Sequence, residues 1–117
     1  MQRIASGFGA YAGSKGALAT ITKTLALELG PHNIRVNGVH PGYIWGDSVR
    51  GYFQAMADER GVPLQEVYDE HASETALRRF PDAREISGTV LYLACELSAG
   101  VTGQAVSVNG GQYFQTA

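Results

Sequence analysis

The sequence lacks the features that disulfide-bonded, nucleic-acid-binding and metal-binding proteins require. Its single cysteine, Cys95, leaves no partner for a disulfide within one chain. Its two lysines, Lys15 and Lys23, do not cluster and the formal net charge is −2, which argues against nucleic-acid binding, because phosphate contacts need concentrated basic side chains. The histidines are scattered without metal-ligand spacing, so we predict no structural metal: His32, His40 and His71.

Long hydrophobic runs are also missing. No segment approaches the roughly 18 apolar residues of a spanning helix, and no basic start followed by an apolar stretch suggests secretion, so we predict no membrane contact and a cytoplasmic location. The composition, 44% hydrophobic and 17% charged, is typical of one small globular domain. Cys95 lies in an apolar helical run, which predicts a buried, inert thiol.

The most informative pattern is a tyrosine and a lysine four residues apart, Tyr11 and Lys15, at the start of a helix-like run. Residues at this spacing lie on one face of an α-helix, so a phenol and an ammonium can point into the same cleft. A tyrosine is a poor acid or base at neutral pH, but a cation held close favours its phenolate form. The pair is a candidate proton donor with a cation that tunes it; an ordinary surface pair is the alternative.

Helical periodicity predicts four helices. The first covers residues 11–29, and Gly30 and Pro31 end it, the glycine through a left-handed cap. Two more helices are predicted over residues 48–59 and 64–75. The last is predicted to begin near a capping box and to bury a stripe of apolar side chains; the box is Asp82 with Glu85, and the stripe is Ile86, Val90, Leu93 and Leu97.

Two apolar runs predict strands. Residues 34–40 are apolar enough to be buried on both faces, as parallel strands are, and residues 105–108 form the second strand. A strand, a crossover helix and a parallel strand form a right-handed unit in nearly all known cases, so the two strands should pair. The sequence therefore predicts an α/β fold in which the first strand has one open edge, and such an edge attracts another chain.

Three segments resemble the short-chain dehydrogenase/reductase family, in the order in which the family has them. The catalytic helix of the family opens with the YxxxK pattern that Tyr11 and Lys15 match. Residues 34–42 are similar to its I-R-V-N-x-V-x-P-G strand, and residues 101–111 to its last strand and glycine pair. The resemblance implies the C-terminal half of a doubly wound Rossmann-type parallel sheet, with two strands and about four helices.

The resemblance also implies an NAD(P)-dependent oxidoreductase that interconverts an alcohol and a carbonyl by hydride transfer, with NAD or NADP as cofactor. Tyr11 would give or take the hydroxyl proton, and Lys15 would hold the nicotinamide ribose hydroxyls and acidify the phenol. The segment that follows the first strand would pass the nicotinamide. Pro41, Gly42 and Ile44 are therefore expected cofactor contacts, with the Ile44 backbone offered to the carboxamide.

Other landmarks of the family are not in this sequence. The glycine-rich phosphate turn and the mid-chain Asn-Ala-Gly segment are missing, and the position of the catalytic serine falls before the start of the chain. Ser6 and Ser14 lie at the wrong distances from the tyrosine, and Gly46 stands where the family often has a threonine that contacts the cofactor. We therefore expect residues 1–117 to be the C-terminal part of an NAD(P)-binding domain, inactive by itself.

Substrate and partners are less defined by the sequence. The segment 43–75 is rich in aromatic and apolar side chains that either line a site for a hydrophobic alcohol or carbonyl or pack small helices onto the domain. The helix over residues 11–29 and the last helix and strand are expected to form homo-oligomer contacts, as in the family. The competing hypothesis is a non-catalytic module that self-associates or pairs with a full-length relative.

Overall fold

The computed structural model describes residues 7–114 and shows an α/β chain. Over these residues it contains four α-helices and two β-strands, which confirms the predicted fold class. The helices are α1 (Gly9–Leu29), α2 (Asp47–Arg60), α3 (Leu64–Ala72) and α4 (Ala83–Ala94), and the strands are β1 (Gly38–Pro41) and β2 (Ala105–Val108).

The two strands pair in parallel, as predicted. Gly38 stands opposite Ala105, and the register continues to Pro41 opposite Val108. Helix α4 lies between the strands in sequence and packs against both of them. Strand β2 has the predicted bounds, whereas β1 begins four residues later than expected, at Gly38 rather than at residue 34.

Irregular hydrogen bonds explain the late start of β1. The Val36 amide donates to Thr102 Oγ1 at 3.1 Å, and the Val36 carbonyl accepts from the Gly103 amide at 2.7 Å. This segment is therefore bonded to the loop before β2 without a regular ladder. The expectation that the strand is buried on both faces was also wrong: its residues are half-buried or exposed, because β2 is its one neighbouring strand in the described residues.

Arg35 joins this irregular segment to the end of α4. Its Nη1 donates to Ser98 Oγ at 2.9 Å and to the Val101 carbonyl at 3.2 Å, while its Nη2 donates to the carbonyls of Leu93 at 2.9 Å and Cys95 at 3.3 Å. The last carbonyls of a helix lack intrahelical donors and carry its negative dipole end, so a cation is favourable there. One guanidinium thus links the segment before β1 to residues 93–101, which lie about sixty positions further along the chain.

Helix α1 does not end at a left-handed glycine as predicted. Gly30 has right-handed angles, φ −54° and ψ −42°, and a short 3-10 turn, Gly30–His32, continues the helix. Pro31 is tolerated in the first turn of this segment because its missing N–H would have no intrahelical acceptor there. The left-handed residue is Asn33, with φ 58°, a conformation that asparagine tolerates better than most residues.

The capping box of α4 is confirmed. Asp82 Oδ1 accepts from the amides of Arg84 and Glu85 at 2.9 and 3.2 Å, and Glu85 accepts from the Asp82 amide at 2.9 Å. The Glu85 carboxylate also forms a bidentate pair with Arg79, at 2.7 and 2.8 Å. The start of α4 is thereby joined to the loop that leads into it.

The rest of α4 corrects two predictions. Its apolar stripe is not buried: Ile86 and Leu93 are half-buried, whereas Val90 and Leu97 are exposed, because α4 has one small sheet to pack on. Cys95 is exposed rather than buried. It follows the last helical residue with extended angles, φ −113° and ψ 171°, so its thiol has left the packed face.

The buried apolar cluster lies in the helical segment between the strands. Its five members fall between Phe53 and Phe80, in α2, α3 and the loop that follows. Helix α3 ends three residues earlier than predicted, because buried Thr75 bonds back to Ala72 with both its amide and its hydroxyl. None of the helices in residues 7–114 is both long and apolar enough to cross a bilayer.

The molecule is extended for its length. Its Cα radius of gyration is 16.9 Å, against about 13 Å expected for a compact domain of this size. Helix α1 accounts for part of the difference: Ala26 is its one buried residue among those described, and Leu18, Ile21 and Leu27 are exposed. A large apolar surface of α1 therefore faces solvent.

Replacing Arg35 should loosen the β1–α4 connection. We expect Arg35→Ala to lower the free energy of unfolding by about 2 kcal/mol, because it leaves helix-end carbonyls without their charged donor. Arg35→Lys should restore only part of the lost free energy of unfolding, since an ammonium lacks the planar set of donors that a guanidinium has. Urea denaturation followed by circular dichroism measures the change. Exposed Arg84→Ala is the matched control, and an equal effect of the two alanine variants would contradict the role.

The capping box should give α4 a dependence on acid pH. Arg79, followed by the Asp82 amide, lowers the pKa of Glu85 from 4.5 to about 2. Because the folded value is the lower one, the stabilisation is full above about pH 4.5 and is lost as the pH falls through about 2. An NMR titration of the Glu85 carboxyl should show this midpoint, and Arg79→Ala should raise it towards 4.5. An unchanged midpoint in the variant would contradict the assignment.

Candidate functional site

The structure brings Tyr11 and Lys15 together on the first turns of α1. Lys15 Nζ lies 5.3 Å from the centroid of the Tyr11 ring, so the ammonium lies against the aromatic face. Both side chains are exposed, Tyr11 by 60%, and Phe8 contacts the same ring edge-on. A cation and a phenol are therefore adjacent and accessible to a ligand, while the wall that would enclose them is not formed by α1 itself.

The loop after β1 is held by hydrogen bonds on either side of Ile44. The Gly42 amide donates to the Val108 carbonyl at 3.2 Å, the Tyr43 amide to Gln112 Oε1 at 3.4 Å and the Trp45 amide to the Pro81 carbonyl at 2.8 Å. The Ile44 amide has no hydrogen-bond partner within residues 7–114. Within the described residues the loop thus presents the Ile44 amide as an unpaired backbone donor at the carboxyl end of the sheet, where ligands of open α/β sheets bind.

Gly42 is required by close packing and not by its backbone angles. A Cβ at this position would lie 2.7 Å from Asn109 Cβ and 2.6 Å from Gln112 Oε1. Asn109 is buried and is itself fixed, since it accepts from the Gly111 amide and donates to the Tyr113 carbonyl, both at 2.9 Å. The turn after β2 therefore forms the support on which the Pro41–Gly42 segment rests.

Sequence reasoning missed these supporting residues. Gln112 and Asn109 are far from Gly42 in the chain, and their side chains reach it because β1 and β2 are neighbours. The pair Gly110 and Gly111 forms a turn, with φ 63° and 78°. The parallel pairing of the strands was the signal that could have placed this turn beside the loop.

The aromatic residues of segment 43–75 mostly pack against one another. Phe53 is fully buried, Trp45 lies 4.7 Å from Tyr68 between ring centroids, and Tyr43 lies 5.7 Å from Phe53. The packing interpretation therefore accounts for these rings. Tyr52 differs, because it is 55% exposed.

An open groove lies at the carboxyl end of β2. One part, of about 370 Å³, is lined by Ser107, Asn109, Gly111, Tyr113 and Phe114. A neighbouring part, of about 390 Å³, shares the β2 residues and is closed on its other side by the loop before α4. Within residues 7–114, no three metal-ligating side chains come together.

The sequence matches a family model and curated relatives over most of its length. A family model described as Enoyl-(Acyl carrier protein) reductase matches residues 1–112. The curated 3-oxoacyl-[acyl-carrier-protein] reductase FabG of Thermotoga maritima is 39% identical over 106 residues, which cover 86% of this chain and 37% of that protein. The chain thus spans well under half the length of this relative.

Solved structures show the same fold. A short chain dehydrogenase family protein from Francisella tularensis superposes with a TM-score of 0.81 at 35% identity, covering 93% of this chain and 45% of that one. An actinorhodin polyketide ketoreductase variant crystallised with NADPH superposes with a TM-score of 0.78 at 29% identity, covering 94% of this chain and 42% of that one. The matches place the two strands and four helices in a Rossmann-type fold.

The family match over nearly the whole chain, the Tyr11–Lys15 pair and the fold agree with one another. The chain belongs to the short-chain dehydrogenase/reductase family, whose members use NAD(P).

Proposed function

We propose that the protein to which this chain contributes is an NAD(P)-dependent oxidoreductase that interconverts a small alcohol and its carbonyl, in the cytoplasm. The observation that carries the proposal is the Lys15 ammonium lying 5.3 Å from the Tyr11 ring centroid on an exposed helix face. Tyr11 gives or takes the hydroxyl proton of the substrate. Lys15 supplies a positive charge beside the phenol and binds the ribose hydroxyls.

The residues of the loop after β1 fit the nicotinamide end of the cofactor, which supplies or accepts the hydride when bound. The unpaired Ile44 amide is a donor for a carboxamide oxygen, as the family resemblance implies. Pro41 and Gly42 carry the backbone to that point, and the close packing of Gly42 leaves little freedom in its position. The loop orients the ring while the helix supplies the proton.

We further propose that the chain alone lacks turnover. It spans 37% to 45% of the relatives described above, and the family's phosphate-binding turn and serine have no counterpart in this sequence. The exposure of both Tyr11 and Lys15 supports this, because electrostatic interactions in an open site are weaker than those in an enclosed one. The missing wall of the site would come from the part of the protein that this chain does not include.

A second candidate function is a non-catalytic module that self-associates or pairs with a full-length relative. The exposed apolar side chains of α1 and α4 favour it, because a partner chain could bury them: Leu18, Ile21, Leu27, Val90 and Leu91. Titration of the purified chain with NADH and NADPH separates the candidates. Micromolar binding favours a competent cofactor site, whereas a stable dimer without cofactor binding favours the module.

Removing one oxygen atom tests the proton donor. In a chimera in which this chain replaces the matched part of the Thermotoga maritima FabG, Tyr11→Phe should lower kcat by about 10²–10⁴, since the phenyl ring cannot transfer a proton. The steady-state rate of NADPH oxidation measures kcat. Tyr52→Phe, at another exposed tyrosine, is the matched control. Retained turnover in the Tyr11 variant would refute the role.

Adding one methyl group tests the cofactor loop. In the same chimera, Gly42→Ala should raise the Kd for NADPH about tenfold, because the methyl group would overlap Asn109 and displace the loop. Isothermal titration calorimetry measures the affinity. The control is Gly38→Ala in the same strand, where the new Cβ would meet His40 at an ordinary 3.7 Å. Equal affinities in the two variants would show that the loop does not contact the cofactor.

A further inference from the structure

We propose that residues 43–81, here called the helical cap unit, form the most stable cooperative unit of this chain and open separately from α1 and the two-stranded sheet. The proposal does not depend on cofactor binding. It starts from the position of the core: every member of the buried apolar cluster belongs to this segment, and so do the half-buried side chains that pack against it. Helices α2 and α3 pack chiefly on each other.

Aromatic packing makes this core continuous. Phe53 is fully buried and contacts five other rings of the unit, with centroids 4.7 to 5.9 Å apart: Tyr43, Trp45, Tyr52, His71 and Phe80. The Arg50 side chain packs over Trp45, and its guanidinium carbon lies 5.4 Å from the centroid of the indole ring. Aromatic pairs at these distances add stabilisation beyond the area they bury. The unit therefore has an interior of its own.

The two ends of the unit are tied to each other. The Trp45 amide donates to the Pro81 carbonyl at 2.8 Å, so the chain leaves the unit beside the point where it enters. The Tyr43 ring lies 5.7 Å from that of Phe80, and the Phe80 amide donates to Tyr68 Oη at 3.4 Å. A segment whose ends meet through its own contacts can keep its structure when the flanking chain opens.

The unit meets the sheet at a narrow seam. The amides of Ala76 and Leu77 donate to the carbonyls of Gly111 and Gly110, at 3.2 and 2.9 Å. The Tyr43 amide also donates to Gln112 Oε1 at 3.4 Å, and Leu77 is 59% exposed, so the seam is made of hydrogen bonds rather than of a shared apolar core. Close approach matters there, because a Cβ on Gly111 would lie 2.4 Å from Ala76 Cβ. The helical cap unit can therefore move or open relative to the sheet as one body.

Buried Thr75 completes the unit on the side of the seam. Its hydroxyl donates to the Ala72 carbonyl at 2.8 Å and accepts from the Arg79 amide at 3.1 Å. These bonds satisfy a polar group that is 1% exposed and hold the turn after α3 in a fixed shape. By contrast, α1 buries Ala26 alone among its described residues, so its helix has little tertiary packing to protect it.

Hydrogen exchange of the intact chain, read by mass spectrometry, tests the proposal. We expect α2 and α3 to exchange roughly tenfold or more slowly than α1 and α4, the factor that separates openings differing by about 1.4 kcal/mol. The single tryptophan, Trp45, reports the same core by fluorescence. The urea concentration at the midpoint of the fluorescence transition should be higher than the midpoint recorded by circular dichroism, which sums the signal of all the helices. Coincident transitions, or equal exchange in all four helices, would overturn the proposal.

Two variants sharpen the test. Phe53→Ala should speed exchange in α2 and α3 and leave α1 and α4 unchanged, whereas Tyr92→Ala, at an exposed aromatic residue of α4, should leave exchange in α2 and α3 unchanged. Gly111→Ala should disturb the seam and speed exchange in β2 while the protection of α2 and α3 persists; Gly100→Ala, in open space, is its control. Faster exchange throughout the chain in either test variant would show a single cooperative unit and refute the separation.

Discussion

The parallel pairing of β1 with β2 is the constraint on which the rest of the chain depends. It brings residues more than sixty positions apart into register, and it places the loop after β1 beside the turn after β2. Arg35 secures the pairing at its amino-terminal end by donating to the end of α4 and to the segment before β2. Without that register, Gly42 would lose the Asn109 surface that supports it.

This constraint divides the chemistry of the chain between two places. The first turns of α1 carry a phenol and an ammonium, which are adjacent because of helical geometry alone. Among residues 7–114, the Ile44 amide at the carboxyl edge of the sheet has no partner, whereas the amides of its two neighbours are bonded. In the proposed function, the helix supplies the acid–base groups and the sheet edge supplies orientation. An exposed α1 and a radius of gyration above the expected value are consistent with a site whose remaining wall lies elsewhere in the protein.

Local signals in the sequence were reliable where the cause of a structure was itself local. The Asp82–Glu85 capping box and the bounds of β2 were predicted correctly, because side-chain chemistry three residues apart and an apolar run decide them. The Tyr11–Lys15 contact follows from helical spacing in the same way. Long-range partners decided the failures: β1 began late because Val36 bonds to the loop before β2, and Leu97 is exposed because α4 has so little to pack on. Gln112 behind Gly42 had no local signal at all.

The position of the cofactor relative to α1 is the central claim, and a crystal structure of the Thermotoga maritima chimera with bound NADP⁺ tests it most directly. The account predicts that Lys15 Nζ lies within hydrogen-bonding distance of the nicotinamide ribose, that Tyr11 Oη faces the substrate side of the ring, and that the Ile44 amide donates to the carboxamide. A cofactor bound with its ribose away from α1, or with its carboxamide held by another loop, would contradict it.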